Sequence, residues 1–219
     1  MTTRKQLNDL CRRRLGDQFA PTVFSDLQIN QWINDAIADY STCFPRQLET
    51  RIPTLAGQRE YSLSSLVGLS SVLSVEYPFQ EGKSPYLLRR TERDNRGFYG
   101  QAVYNLKKDD TGNWVLLIGL IPEEGQILRL VVETAHPYLD GDEAITTIPD
   151  FHLELIVLFV RAAAMQEQLA QNSAQPELSS LLLSTLAANA NRAINEYQQK
   201  KKEYLTALSN GGSIETWQE

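Results

Sequence analysis

Residues 150–209 read DFHLELIVLFVRAAAMQEQLAQNSAQPELSSLLLSTLAANANRAINEYQQKKKEYLTALS, and the way this stretch folds decides the rest of the chain. Its first half runs from Phe151 through Leu153, Leu155, Ile156, Leu158, Phe159, Val160 and Met165 to Leu169. These apolar side chains cover almost the whole circumference of a helix, the pattern of an element surrounded on all sides. The second half carries a narrower stripe at Leu178, Leu182, Leu186, Ala190, Ile194, Tyr197, Tyr204, Leu205 and Leu208, with Gln, Asn and Lys on the other face. The polar segment 171–176 is the expected turn between them. Pro176 suits a first helical position and Asn210-Gly211-Gly212 a stop. Asp150, Glu154, Arg161 and Glu167 interrupt the first helix, and its continuous apolar run, 155–160, is far short of the roughly 20 residues a bilayer requires. It therefore reads as a buried helix. Arg161 either pairs with Glu154 or another carboxylate, or serves as a subunit contact. A helical hairpin of this kind cannot bury itself, so other elements must cover it.

The N-terminus supplies two of them. Thr3 with Gln6 fits a capping box, and Leu7, Leu10, Cys11 and Leu15 follow as a stripe ending at Gly16. Ser25 with Gln28 repeats the box, flanked by Phe24 and Ile29 as a hydrophobic staple. That helix continues through Trp32, Ile33, Ala36, Ile37 and Tyr40 until Pro45 closes it. Asp150 is the expected N-cap of the third helix. Both ends of the chain are thus amphipathic helices, and a four-helix bundle-like domain assembled from them is the economical arrangement.

Between the ends the period changes. Short runs rich in Val, Ile, Leu and Tyr, broken by Gly, Pro, Asp and Asn, predict strands at 59–63, 72–77, 86–90, 102–106, 114–118 and 127–134. In the last of these Leu128, Leu130 and Val132 share one face. Residues 109–113 and 122–125 read as hairpin turns. No helical crossover fits between the strands, so the sheet is expected to be antiparallel. The fold class is α+β: helices at 1–49 and 143–209, a small antiparallel β domain inserted at 50–142, and a docking tail at 210–219.

Composition excludes several function classes. The chain has 219 residues, 42% of them hydrophobic and 22% charged, with a net charge of −6 and a pI near 5.1. That balance argues against general nucleic-acid binding, and the clusters at Arg12 to Arg14, Arg89-Arg90 and Lys200 to Lys202 read as solvated faces. The N-terminus is polar and basic, without the apolar stretch of a signal peptide. Cys11 and Cys43 have no Cys/His cluster around them and read as packing residues in a reduced compartment. His136 and His152 are the only histidines, and neither has metal-ligand spacing. No phosphate loop or nucleophile elbow is present. An enzyme would rest on Asp140, Asp142 and Glu143 alone, which lack the ligand count of a calcium loop and read as a linker. No catalytic residue, metal or cofactor is expected. A ligand- or carbohydrate-binding module would need an exposed aromatic face, for which Tyr77, Tyr86, Tyr104 and Trp114 are the candidates, although such residues more often fill a core.

Two segments have the composition of interfaces. Phe98 and Tyr99 follow Arg93 and Arg96, aromatic anchors beside arginines, unless they cover the edge of the sheet. Ile214 and Trp217 sit on a polar leash, and either fold back or dock on a partner; docking is the preferred reading.

The order of parts resembles a known family. Phe24-Ser25-Asp26 opens a helix around Trp32-Ile33-Asn34, Phe44-Pro45 closes it, Gly57-Gln58-Arg59-Glu60-Tyr61-Ser62-Leu63 enters the β insertion, and Ile148-Pro149 enters a long helical pair. Over roughly residues 2–209 the chain resembles the head-to-tail adaptor (connector) proteins of tailed bacteriophages, especially short-tailed ones. The resemblance implies a virion structural protein at the head-tail junction, made in the host cytoplasm, with no membrane contact. It implies a homo-oligomeric ring, typically of twelve copies, beneath the portal protein. DNA passes through it without sequence-specific binding, and a tail nozzle or tail tube protein attaches to it. It also implies that Ile214 and Trp217 anchor on the portal, that the β domain faces the tail, and that Arg161 serves a lateral contact. A more distal nozzle or gatekeeper subunit is the structural alternative.

Overall fold

The computed structural model describes residues 2–18, 23–92, 98–174 and 179–209. The chain divides into two compact units, Met1–Phe44 with His136–Glu219, and Pro45–Ala135.

The first unit is helical. α1 (Arg4–Leu15) begins at Thr3, whose hydroxyl accepts from the Gln6 N–H while the Gln6 side chain accepts from the Thr3 N–H. It ends at Gly16, at φ 73°, a left-handed position that glycine takes without a steric cost. α2 (Asp26–Cys43) repeats the box with Ser25 and Gln28, and both Phe24 and Ile29 are buried, as a staple requires.

The third helix begins differently from expectation. Asp150–His152 form one 3-10 turn, and α3 (Leu153–Ser173) follows with His152 at its N-cap and no side-chain cap. The carboxylate of Asp150 instead accepts from the Thr2 hydroxyl at 3.1 Å. The expected turn also starts too early in the sequence reading. Gln171, Asn172 and Ser173 remain helical, because their side chains bond back to Glu167 and to the carbonyls of Gln168 and Ala170 within the last turn. α4 (Ser180–Ser209) completes the hairpin. Pro176, Leu178 and Asn210 to Gly212 lie outside the described residues.

α3 is the centre of this unit. It packs against α4, α2 and α1, and its buried residues include Leu155, Ile156, Val157, Leu158, Val160 and Ala164. Around it gather Leu7 and Cys11 of α1, Ile29, Ile33 and Ile37 of α2, and Tyr197 of α4. Each fully buried aliphatic side chain contributes about 1.5–3 kcal/mol through transfer from water, so this cluster is the main stabilising term of the unit. α4 is less evenly covered than its stripe suggests. Ala190, Ala193 and Tyr197 are buried, but Leu181 and Leu182 stand 76% and 43% exposed.

The second unit holds two small sheets. β1 (Arg46–Pro53), β7 (Ile127–Thr134) and β3 (Leu69–Glu76) form the first, with β7 central and both pairings antiparallel. β2 (Glu60–Ser62), β6 (Trp114–Ile118), β5 (Val103–Lys108) and β4 (Arg89–Arg90) form the second, in that order. The β4–β5 pairing is parallel, which corrects the all-antiparallel expectation. β1 was not anticipated. Its Leu48 and Ile52 point inward as a strand requires, but Arg46 and Gln47 before them and Glu49 and Arg51 between them dilute the signal. The segment 122–125 is no hairpin either, since it leads from β6 in one sheet to β7 in the other. The turn at 109–113 is one: the Asp109 carboxylate accepts from the Thr111 and Asn113 N–H groups, which closes β5 onto β6. Tyr61, Val75, Leu116, Ile118, Leu128 and Leu130 make the core.

Candidate assembly interface

The polar groups of the helical unit converge on α4. Glu196 accepts from Arg161 of α3 at 2.6 Å and from Arg14 of α1 at 3.2 Å. Beside it, the Asp39 carboxylate of α2 accepts from the hydroxyl of Tyr197, the next residue of α4, and from the Lys201 ammonium one turn further on, the latter at 2.7 Å. Lys200 reaches Glu154 at 3.2 Å, and the Tyr204 hydroxyl donates to the Phe151 carbonyl at 2.8 Å. Helix α4 is therefore tied to all three other helices over three turns. Burial, reinforced by the Asp39 carboxylate, holds the Tyr197 phenol above its ordinary range. Burial alone would lower the Lys201 ammonium, but the bond to Asp39 and its charge outweigh it and leave the group raised.

Both histidines serve the same framework. The His136 backbone N–H donates to the Ser41 hydroxyl, its Nδ1 bonds the Thr147 hydroxyl at 2.7 Å, and its Nε2 lies 3.0 Å from the Phe44 carbonyl. A carbonyl only accepts, so Nε2 carries a proton. His152 bonds the Tyr40 hydroxyl through Nδ1 and lies 4.4 Å from the Tyr204 ring, centroid to centroid. Burial lowers its pKa from the ordinary 6.5, which keeps it neutral. Burial also pushes the Cys11 thiol up to about 12, which suits a packed rather than a reactive sulfur. Among the described residues no group of three His, Cys, Asp or Glu could hold a metal ion. No helix is long and apolar enough to cross a membrane. Asp142 is paired with Arg4 at 2.7 Å, and Asp140 and Glu143 are exposed beside it.

In the β unit the candidate residues separate. Phe98 is buried against Val103, Val115 and Leu117, whereas Tyr99 is 59% exposed with the Arg59 guanidinium 4.5 Å from its ring centroid. Gly119 permits this arrangement. The Gly100 N–H donates to the Gly119 carbonyl at 2.7 Å, and a Cβ at 119 would lie 2.6 Å from the Gln101 carbonyl oxygen. Of the four aromatics considered for a binding face, Tyr77 and Tyr104 are core residues, and Lys108 lies 5.0 Å from the Trp114 ring. Only Tyr86 of that set stands exposed, so no aromatic platform forms. The outer surface of the first sheet is a charge ladder instead. Arg129 bridges Glu49 at 2.6 Å and Glu76 at 3.2 Å, and Arg51 and Arg129 both stack on Phe79.

Of the residues singled out from sequence, Arg161, Phe98 and Tyr99 are described: Arg161 belongs to the helical unit, and Phe98 and Tyr99 belong to the β unit, where their rings meet edge to face at 5.7 Å between centroids. Arg93, Arg96, Ile214 and Trp217 lie outside the described residues. The Asp39, Glu196 and Tyr197 clamp was missed. Tyr197 and Lys201 at i and i+4 mark one face of α4, but their shared acceptor is 158 residues from Tyr197 in the chain.

A protein-family model described as SU10 adaptor protein matches residues 2–211. The chain belongs to the SU10 adaptor family. The match runs through both units and through every element of the α4 clamp. No curated protein matches the chain. Membership gives the protein the coarse role of a phage adaptor, a structural part of the head-to-tail junction.

Proposed function

We propose that twelve copies of this chain form a ring beneath the portal of a short-tailed phage. The ring continues the DNA channel and offers a platform to the tail nozzle or tail tube. The observation that carries this reading is the SU10 adaptor match across nearly the whole chain, both units included. Two physical features support it. Helix α4 is held by ion pairs and hydrogen bonds to three helices, the rigidity a load-bearing wall segment needs. A net charge of −6 suits a conduit, because a strongly basic bore would bind passing DNA through its phosphates.

In this reading Ile214 and Trp217 are anchors that reach the portal, and the β unit faces the tail with Arg93, Arg96 and the exposed Tyr99 as contacts. Arg161, engaged by Glu196 within its own chain, acts laterally by holding α4 in place. The test is to mix the purified chain with the portal ring of the same genome and to examine the mixture by native mass spectrometry and electron microscopy. A closed ring of twelve on the portal's tail-facing end is expected. Failure to associate with an intact portal would overturn the reading in favour of a more distal nozzle or gatekeeper role.

A further inference from the structure

Two solvent-facing stripes of the helical unit complement one another. On α2, Leu27, Gln31 and Asp35 stand exposed one turn apart, and Leu27 is 79% exposed. Tyr138, 60% exposed, and Asp140 flank them, and these residues line one shallow concavity. Among the described residues neither Asp35 nor Asp140 has an ion-pair partner. Arg4, the only cation on the concavity's wall, is already taken by Asp142. The shelf is thus two apolar anchors beside two unpaired carboxylates.

The outer stripe of α4 has the opposite character. Leu181, 76% exposed, and Arg192 are eleven residues apart and fall within about 20° of each other around a helix of 3.6 residues per turn. Lys202 adds a second cation about 60° round the helix from Leu181. Arg192 and Lys202 are exposed and have no ion-pair partner among the described residues, while the helix's carboxylates, Glu196 and Glu203, are bonded to Arg14, Arg161 and Lys200. Exposed leucine followed by unpaired cation on α4 matches exposed leucine followed by unpaired carboxylate on α2, with Tyr138 beside it. The spacings agree as well: Leu27 to Asp35 spans about 12 Å and Leu181 to Arg192 about 16 Å. Helix side chains lean toward the N-terminus, which carries the Arg192 head back toward Leu181 and shortens the second span.

Direction settles the symmetry. Tyr40 at the end of α2 and Tyr204 near the end of α4 both meet His152 at the start of α3, so α2 and α4 run the same way. A rotation about an axis along these helices lays α4 of one copy beside α2 of the next without reversing it. Two different patches that pair in this manner make a head-to-tail contact, which builds a ring when its rotation closes, rather than a two-fold dimer.

We infer that the occupant of the Leu27–Tyr138 shelf is a second copy of this chain, whose α4 seats Leu181 there and sets Arg192 against Asp35 and Asp140. This inference rests on the ring reading and specifies its lateral contact. The test uses charge reversal on the full chain: Arg192→Glu as one variant, Asp35→Lys with Asp140→Lys as the other. All three positions are exposed, and circular dichroism checks that each variant keeps its helix content. Copy number is read by native mass spectrometry, with and without the portal ring. Each variant alone is expected to lose the ring, or to require at least about tenfold more protein to form it. Mixed one to one, the two variants are expected to regain it in alternation, with an even number of copies, because each reversed surface then meets its complement. Oxidation of a chain carrying Leu181→Cys, Tyr138→Cys and Cys43→Ser is expected to link neighbouring copies into a covalent ladder. Rings from either variant at wild-type protein concentration, or no recovery in the mixture, would overturn the inference while leaving the ring intact. A wild-type chain that forms no ring even on the portal would end the ring reading itself.

Discussion

The clamp between α2 and α4 allows the sharpest test of how the helical unit is held. Asp39 accepts from both the Tyr197 hydroxyl and the Lys201 ammonium, and its side chain is 36% exposed. A hydrogen bond to a charged group contributes about 1.5–3 kcal/mol, and partial exposure puts this one at the lower end. Tyr197→Phe keeps the buried ring and its edge contact with Phe159, 5.4 Å between centroids, and removes only the donor. The expected loss is about 1.5 kcal/mol, or roughly 3–6 °C in Tm for a chain of this size. Asp39→Ala removes the acceptor of both bonds and should cost about 2–3 kcal/mol. The assay is urea unfolding followed at the helical circular dichroism band, with the midpoint and slope fitted separately. The double variant should cost no more than about 0.5 kcal/mol beyond Asp39→Ala, because the tyrosine hydroxyl has then already lost its partner. A Tyr197→Phe midpoint within about 0.3 kcal/mol of wild type, or fully additive losses, would refute the clamp as a stabilising device.

Four other outcomes are expected. Burial lowers the His152 pKa from 6.5, so folding favours the neutral ring; stability is full above about pH 6.5 and falls as pH drops toward the depressed value, and His152→Gln should flatten that slope between about pH 5 and 7. Trp32→Ala, at a half-buried ring whose centroid is 5.1 Å from that of Phe24, should cost about 2–3 kcal/mol in the same urea assay; a neutral result would mean the ring is solvated. Gly119→Ala forces a Cβ against the Gln101 carbonyl and should destabilise the β unit by about 1–3 kcal/mol, read as faster proteolysis within 45–135. Deleting residues 213–219 should leave the unfolding midpoint unchanged and weaken binding to the portal ring in a sedimentation assay, and equal binding would remove Ile214 and Trp217 from the anchor role.

Much of this architecture is written locally. The capping boxes at Thr3 and Ser25, the Gly16 stop and the buried α3 repeat are decided by residues within a few positions of one another, and the structure reproduces them. The same holds for β6, a continuous apolar run, and for β7, whose buried residues alternate. Local signals failed where a competing bond lay elsewhere in the chain. Asp150 has the chemistry of a cap but bonds Thr2. Charged β1 becomes a strand only because β7 pairs with it along its full length. The parallel β4–β5 pair is two residues long and has no periodicity to read.

The sequence by itself determined the fold class, the helical ends, most of the inserted strands and the family resemblance, because hydrophobic period and turn chemistry are properties of neighbouring residues. Only the tertiary structure decided which of the candidate residues are surfaces. Arg161 is engaged by Glu196, Phe98 is core and Tyr99 is exposed, although all three read alike as interface residues in one dimension. Asp39 and Tyr197, unremarkable in sequence, form the clamp. The physical reason is that a charge or an aromatic ring takes its role from whatever stands opposite it. In this chain the opposite group is often more than a hundred residues away.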